Sequence, residues 1–195
     1  FLGGRDFDAA LVDWVLQEVE RTQGVTVSRA DPRNAAGLRK LKLAVEEVKI
    51  ELTRASEASL VLSGALEVDG KAVEIDLLVE RSTLEALTSP LVERSIEVCK
   101  RLLAAHGLGP GQIGRVVLVG GPTVMPALRA RVREALGAPF GEGLDPMTLV
   151  AQGASIYAAT AGLDARGEAK SNEESGRRVW LQHPAMSSDL TPHVI

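Results

Sequence analysis

The chain has 195 residues, 45% hydrophobic and 25% charged, which is enough apolar content to bury the core of one domain or of two small subdomains. Its formal net charge is −4, with 22 basic and 26 acidic residues interspersed, so no basic stripe argues for nucleic acid. No apolar run of about 18 residues and no signal-peptide pattern argues for a membrane, and a lone cysteine, Cys99, excludes an internal disulfide and fits a reducing, cytoplasmic setting.

Leu11, Val15 and Val19 recur at spacings of four and predict a first helix over residues 8–21. After a loop of turn formers, Leu38, Leu41, Val45, Val48 and Leu52 give the clearest helical period in the chain, over 35–54. Arg39, Lys42, Glu46, Lys49 and Thr53 repeat on another face of that helix, a pattern that is ordinarily a solvated stripe. Asp69-Gly70 is a two-residue hairpin signal, so residues 66–68 and 72–78 are expected to pair antiparallel. Ser82, with Glu85 three residues on, suits a capping box, and a separate helix is expected from Ser89-Pro90 to Gly107. In that helix Cys99 falls in line with Ile96 and Leu103, as a small core residue rather than a nucleophile. His106, His183 and His193 have no metal-ligand spacing, and neither a metal site nor a catalytic residue is expected.

The stretch "VVLVGGPTVMP" follows. Val116, Val117, Leu118 and Val119 run without polar alternation, as in a strand covered on both faces. Gly120 and Gly121 admit backbone conformations closed to other residues and let a ligand approach the main chain, while Pro126 suits the first turn of a helix over 126–136. That arrangement either cradles a nucleotide or sugar phosphate or is a tight strand-to-helix turn with no ligand. A last helix is expected over 146–161. The order helix, helix, hairpin, helix, strand, helix, helix describes an α/β protein with an inserted α+β piece.

Four blocks, "FLGGRDFDAALVDWVLQEV", "LRKLKLAVEEVKIELTRASEASL", "QIGRVVLVGGPTVMPALRARV" and "DPMTLVAQGASIYAA", resemble in order and approximate spacing the nucleotide-binding domain of the DnaK-type heat shock protein 70 family. The resemblance covers most of residues 2–161. It implies the actin-like ATPase fold, lobe II: a partial base subdomain from residues 1–8 and 88–162, an upper subdomain from 9–87, and an interdomain linker with the start of a substrate-binding domain over 163–195. It also implies ATP or ADP as ligand, with magnesium in a full-length protein. By the same resemblance, Gly120 and Gly121 lie against the adenosine, Gly3 and Gly4 near the phosphates, and Glu46, Lys49 and Thr53 against ribose and base. A co-chaperone or nucleotide-exchange factor is the expected partner of the upper subdomain, and an unfolded polypeptide that of the substrate-binding domain. The family's first lobe and its phosphate loops would lie upstream of Phe1, so the chain is expected to be an excised piece that does not turn over ATP alone.

The departures from the family pattern concentrate on the base. Ile50 and Val124 stand where two arginines usually sandwich the adenine, Pro122 replaces a serine, Met147 an aspartate and Arg5 an acidic residue. A stacking cation contributes roughly 0.5 to 2 kcal/mol, so losing two weakens binding by roughly one to three powers of ten. The pair Ile50 and Val124 either grips the base through dry aliphatic contact, or marks a degenerate lobe kept as a nucleotide-independent interaction module, or merely packs near the last helix. An actin-like assembly protein is the remaining alternative.

The segment "LDARGEAKSNEESGRR" has a linker composition. "VWLQHPAMSS" takes the place of the family's leucine-rich interdomain linker, and "DLTP" resembles the start of its substrate-binding domain. Val179, Trp180 and Leu181 are expected either to add as an edge strand, on this lobe or by exchange on a neighbouring copy, or to stay a loose tail.

Overall fold

The spacing of four that begins at Leu11 extends upstream as well, because Phe7 and Asp8 also turn inward, and helix α1 spans Gly4–Gln23 rather than starting near residue 8. Asp6 fixes the start by accepting the Gly3 N–H at 2.7 Å. Gly24, in the left-handed region at φ 68°, ends it and donates to the Glu20 carbonyl. The computed structural model describes residues 3–109, 111–141 and 143–160.

A 3₁₀ turn at Pro32–Asn34, capped by the Asp31 carboxylate, leads into α2, Ala35–Glu51. Leu41, Val45 and Val48 form its buried stripe, and Leu52 closes it, with residues 52–54 in turns instead of a last helical turn. Strands β1 (Glu57–Val68) and β2 (Lys71–Glu80) make a two-stranded antiparallel sheet. As expected, the turn is Asp69-Gly70, both at positive φ (51° and 76°), with Val68 opposite Lys71. The register breaks between Leu62, opposite Ile75, and Leu66, opposite Val73, so Ser63, Gly64 and Ala65 bulge against Glu74 alone. α2 lies across this bulge. Asn34, 2% exposed, accepts the Glu67 N–H at 2.9 Å and ties the start of α2 to β1.

Helix α3 spans Arg81–Ala105 without interruption, which corrects the expectation of two helices meeting at Ser89-Pro90. Leu84, Thr88, Val92 and Ile96 are buried at a spacing of four straight across the proline, and Pro90 itself faces out, where its missing N–H harms least. Ser82 caps nothing; its hydroxyl bonds to Glu80, and the helix start is held by Arg81, which donates to the carbonyls of Ser56 and Leu52. Cys99 is exposed, contrary to its expected place in the core. Beyond Ile96 the cover thins to the half-buried Leu103, leaving Val98 and Leu102 exposed as well.

Residues 116–119 form no strand. Val116 makes a single parallel bridge with Phe140, and Val117 and Val119 are each 48% exposed. An apolar run supplies the propensity for a strand but not its ladder, and among the described residues only Phe140 and its neighbours supply one. Gly120 (φ 94°) then turns the chain into a 3₁₀ segment, Gly121–Val124, and α4 occupies Pro126–Leu136, as the proline predicts. Arg131 of α4 makes a two-pronged pair with Glu93 of α3, at 2.5 and 2.9 Å, and that bond holds the Glu93 carboxyl below the usual carboxylate range. Phe140 is covered by the guanidinium groups of Arg129 and Arg133, each 4.9 Å from the ring centre.

The chain divides into two compact units, Phe1–Met147 and Thr148–Ile195. One core runs through the first unit, from Phe7 and Leu11 of α1 through Leu41, the inward faces of the hairpin and Ile96 to Phe140. In the second unit α5 spans Leu149–Thr160, a little shorter than expected. The expected linker and the edge strand or loose tail at 179–181 lie outside the described residues. The described fold is mixed α/β with a small two-stranded sheet.

Candidate functional site

Within the first unit, the start of α1, one face of α2 and the glycine turn enclose a cavity of about 710 Å³. Helical spacing explains the α2 side: Glu46, Lys49 and Thr53 are three and four residues apart and come to one face, with Ile50 beside them. Gly4 lines it from α1, and Gly121 and Val124 from the turn. Seven of the nine residues expected to contact a ligand therefore share one cavity. Gly3 and Gly120 do not line it. Gly3 caps α1, and Gly120 serves the turn, its N–H bonded to the Pro146 carbonyl at 2.9 Å and its carbonyl accepting the Thr123 hydroxyl at 2.6 Å.

The two remaining glycines are bare for different reasons. A Cβ on Gly4 would sit 3.3 Å from Pro122 Cγ and 3.8 Å from Lys49 Nζ, so the glycine lets α1 approach the turn. A Cβ on Gly121 would meet only Met147 Sδ, at 3.6 Å, an ordinary contact. The protein itself does not forbid a side chain there; its absence leaves main chain open to the cavity.

The floor is polar and paired. Lys49 Nζ donates to Asp8 Oδ1 at 2.5 Å, with the two side chains 12% and 6% exposed. The sequence reading missed Asp8. The signal was present, because a carboxylate on the apolar stripe with Val12 and Val15 must find a cation when it is buried. Thr53 donates its hydroxyl to the Ile50 carbonyl at 2.7 Å, which leaves its oxygen free to accept. Two further cations, Arg5 and Arg54, line the cavity and form none of the ion pairs among the described residues. The mouth is apolar: Ile50, Val124 and Met147 are 55%, 40% and 67% exposed.

A volume of this size falls in the range of small-molecule sites, roughly 300 to 1,000 Å³. Apolar side chains at the mouth, a hydrogen-bonding floor and unpaired guanidinium groups suit a ligand with one flat apolar part, hydroxyls and an anionic part, which an adenine nucleotide has. Magnesium fits the described residues poorly. No group of three or more His, Cys, Asp or Glu among them could hold a metal, and Asp8 is already committed to Lys49. Nor is any helix among the described residues long and apolar enough to cross a membrane.

The described fold is thus a mixed α/β unit with a cleft of small-molecule size between its helices and the glycine turn. The chain matches the family model described as Hsp70 protein over residues 1–167, and it belongs to that family. In general terms, membership brings with it the actin-like ATPase fold and a chaperone's ATP-binding domain, with adenine nucleotide, polypeptide substrate and co-chaperones as the family's partners.

Proposed function

We propose that the cleft takes the adenosine part of ATP or ADP and that, in a working chaperone, it couples nucleotide state to the grip of a peptide-binding domain. One observation carries this reading: residues from three separated stretches, at Gly4, at Glu46 to Thr53 and at Gly121 to Val124, line one cavity. The base lies between Ile50 and Val124, gripped by aliphatic contact where a cation stack would otherwise serve. Glu46, Lys49 and Thr53 receive ribose and base, Gly121 lets the ligand reach the main chain, and Gly4 borders the phosphate side. Residues 1–8 and 88–162 form the base subdomain, and 9–87 the upper subdomain, whose outer surface receives a co-chaperone or exchange factor. The piece 163–195 leads into the peptide-binding domain.

Calorimetric titration of the 195-residue chain with ADP and ATP tests the reading. Without stacking cations, binding is expected to be saturable but weak, with Kd on the order of 100 μM or above. Gly121→Val is expected to abolish it while leaving thermal unfolding unchanged, since the added Cβ meets only Met147. No binding at millimolar nucleotide, or an unchanged isotherm for Gly121→Val, would sink it and favour a nucleotide-independent interaction module.

A further inference from the structure

Of the three cations lining the cleft, only Lys49 has an ion-pair partner among the described residues, and the carboxylate that answers it comes from another helix, 41 residues away in sequence. The ammonium has three donors. Asp8 takes one, and no other partner for Lys49 is present among the described residues. Its side chain, 12% exposed, lines the cavity, so the donors left over are within reach of a ligand there.

We propose that Asp8 is a positioning residue of this cleft, holding the Lys49 ammonium at the floor with its free donors directed at the bound ligand; the proposal rests on the nucleotide reading of the site. A buried lysine without a counter-charge is costly and would swing its flexible stem towards solvent. Asp8 prevents that, because it sits on the inward face of α1, where Phe7 and Leu11 also pack, and is itself buried. The pair also sets what the floor accepts. Its charges cancel, so it suits neutral acceptors such as sugar hydroxyls and ring nitrogens, whereas an anionic group there would face the Asp8 carboxylate. The unpaired Arg5 and Arg54 are the better partners for that group.

Adenosine and ADP binding are measured by calorimetry on the wild-type chain, Asp8→Asn, Lys49→Met and the double variant, with thermal unfolding recorded for each. Because Asp8 acts through Lys49, Asp8→Asn is expected to weaken adenosine binding about tenfold, and the double variant to bind no worse than Lys49→Met alone. In parallel, acetylation by an amine reagent, followed by mass spectrometry, is expected to be slower at Lys49 than at the exposed Lys40 and Lys42, and to quicken in Asp8→Asn. If Asp8→Asn does not fold, Asp8→Leu with Lys49→Met, which exchanges a buried pair for apolar groups of similar size, is compared with Lys49→Met alone: equal affinity supports the proposal and a further loss overturns it. Additive losses, or wild-type affinity in Asp8→Asn, overturn it while leaving the nucleotide reading intact. No binding by the wild-type chain overturns both, even where Lys49 proves slow to acetylate.

Discussion

On the proposed nucleotide reading, the cleft's affinity turns on Ile50 and Val124, since both are large, aliphatic and exposed at its mouth. An exposed apolar side chain gains when a flat ring covers it, by about 25 cal/mol per Å² of apolar surface removed from water. A guanidinium in the same place gains from the ring's quadrupole instead, roughly 0.5 to 2 kcal/mol each. Ile50→Arg with Val124→Arg is therefore expected to tighten ADP binding by about tenfold or more if the cavity is otherwise suited to a purine, and to leave the affinity for ribose 5-phosphate, which has no base, unchanged. Titrations with both ligands check this. Weaker ADP binding in the double variant would show that the cavity is shaped around aliphatic contact and has no room for the longer side chains. Residue identity at these two positions was legible from the sequence, as was the shared face of Glu46, Lys49 and Thr53. That a buried Asp8 needs a cation was legible too, but that the cation is Lys49 was not, because a contact between residues so far apart leaves no periodicity to read.

At the level of elements, what the sequence disclosed was local. The Asp69-Gly70 turn and the Pro126 helix start need only their own backbone preferences, and both stand where expected. Ser82 and Pro90 carry equally local signals, yet α3 runs through both, because the buried line from Leu84 to Ile96 outweighs one missing helical bond. The bulge in β1 is another element-scale feature, with Gly64 at φ 61° as its trace in the sequence. Its consequence lies on the neighbouring helix. A Cβ on Gly37 would stand 1.8 Å from the Ala65 carbonyl oxygen, which is backbone and cannot rotate away. Gly37→Ala must therefore lift α2 from the sheet, and a loss of about 2 to 4 kcal/mol in unfolding free energy is expected. Urea denaturation checks it. A change within about 0.5 kcal/mol, the scale of an ordinary surface substitution, would mean that helix and hairpin slide apart at little cost. Because the same helix forms one wall of the cleft, nucleotide affinity is expected to fall with stability in this variant, unlike in Gly121→Val.

Across the first unit as a whole, a single core joins α1, α2, the hairpin, α3 and α4, and the cleft is cut into its edge, where α2 ends and the glycine turn begins. Order should therefore differ along the chain in a way amide hydrogen exchange can read. The α2 amides around Leu41, Val45 and Val48 belong to a helix whose inner face is buried. Val116 and Gly141 are tied by the bridge, at 2.8 Å to the Pro139 carbonyl and 3.0 Å to the Val116 carbonyl. For the N–H groups of Val117, Leu118 and Val119 no partner is found among the described residues, although the residue types there favour a strand. Amides bonded within a core exchange only through large openings, whereas unbonded amides exchange almost as in a free peptide. Residues 117–119 are expected to exchange first, Val116 and Gly141 later, and the middle of α2 last. Millimolar ADP is expected to slow exchange at the turn from Gly121 to Val124 and at the end of α2, and to leave 117–119 fast, since a ligand in the cleft supplies those three amides with no acceptor. Slow exchange at 117–119 without ligand would show that the run finds a ladder partner in solution, and the expected strand would then be restored. Slowing there only with ADP would place the ligand on the strand side of Gly120, and the assignment of Gly121 as the point of main-chain approach would fall.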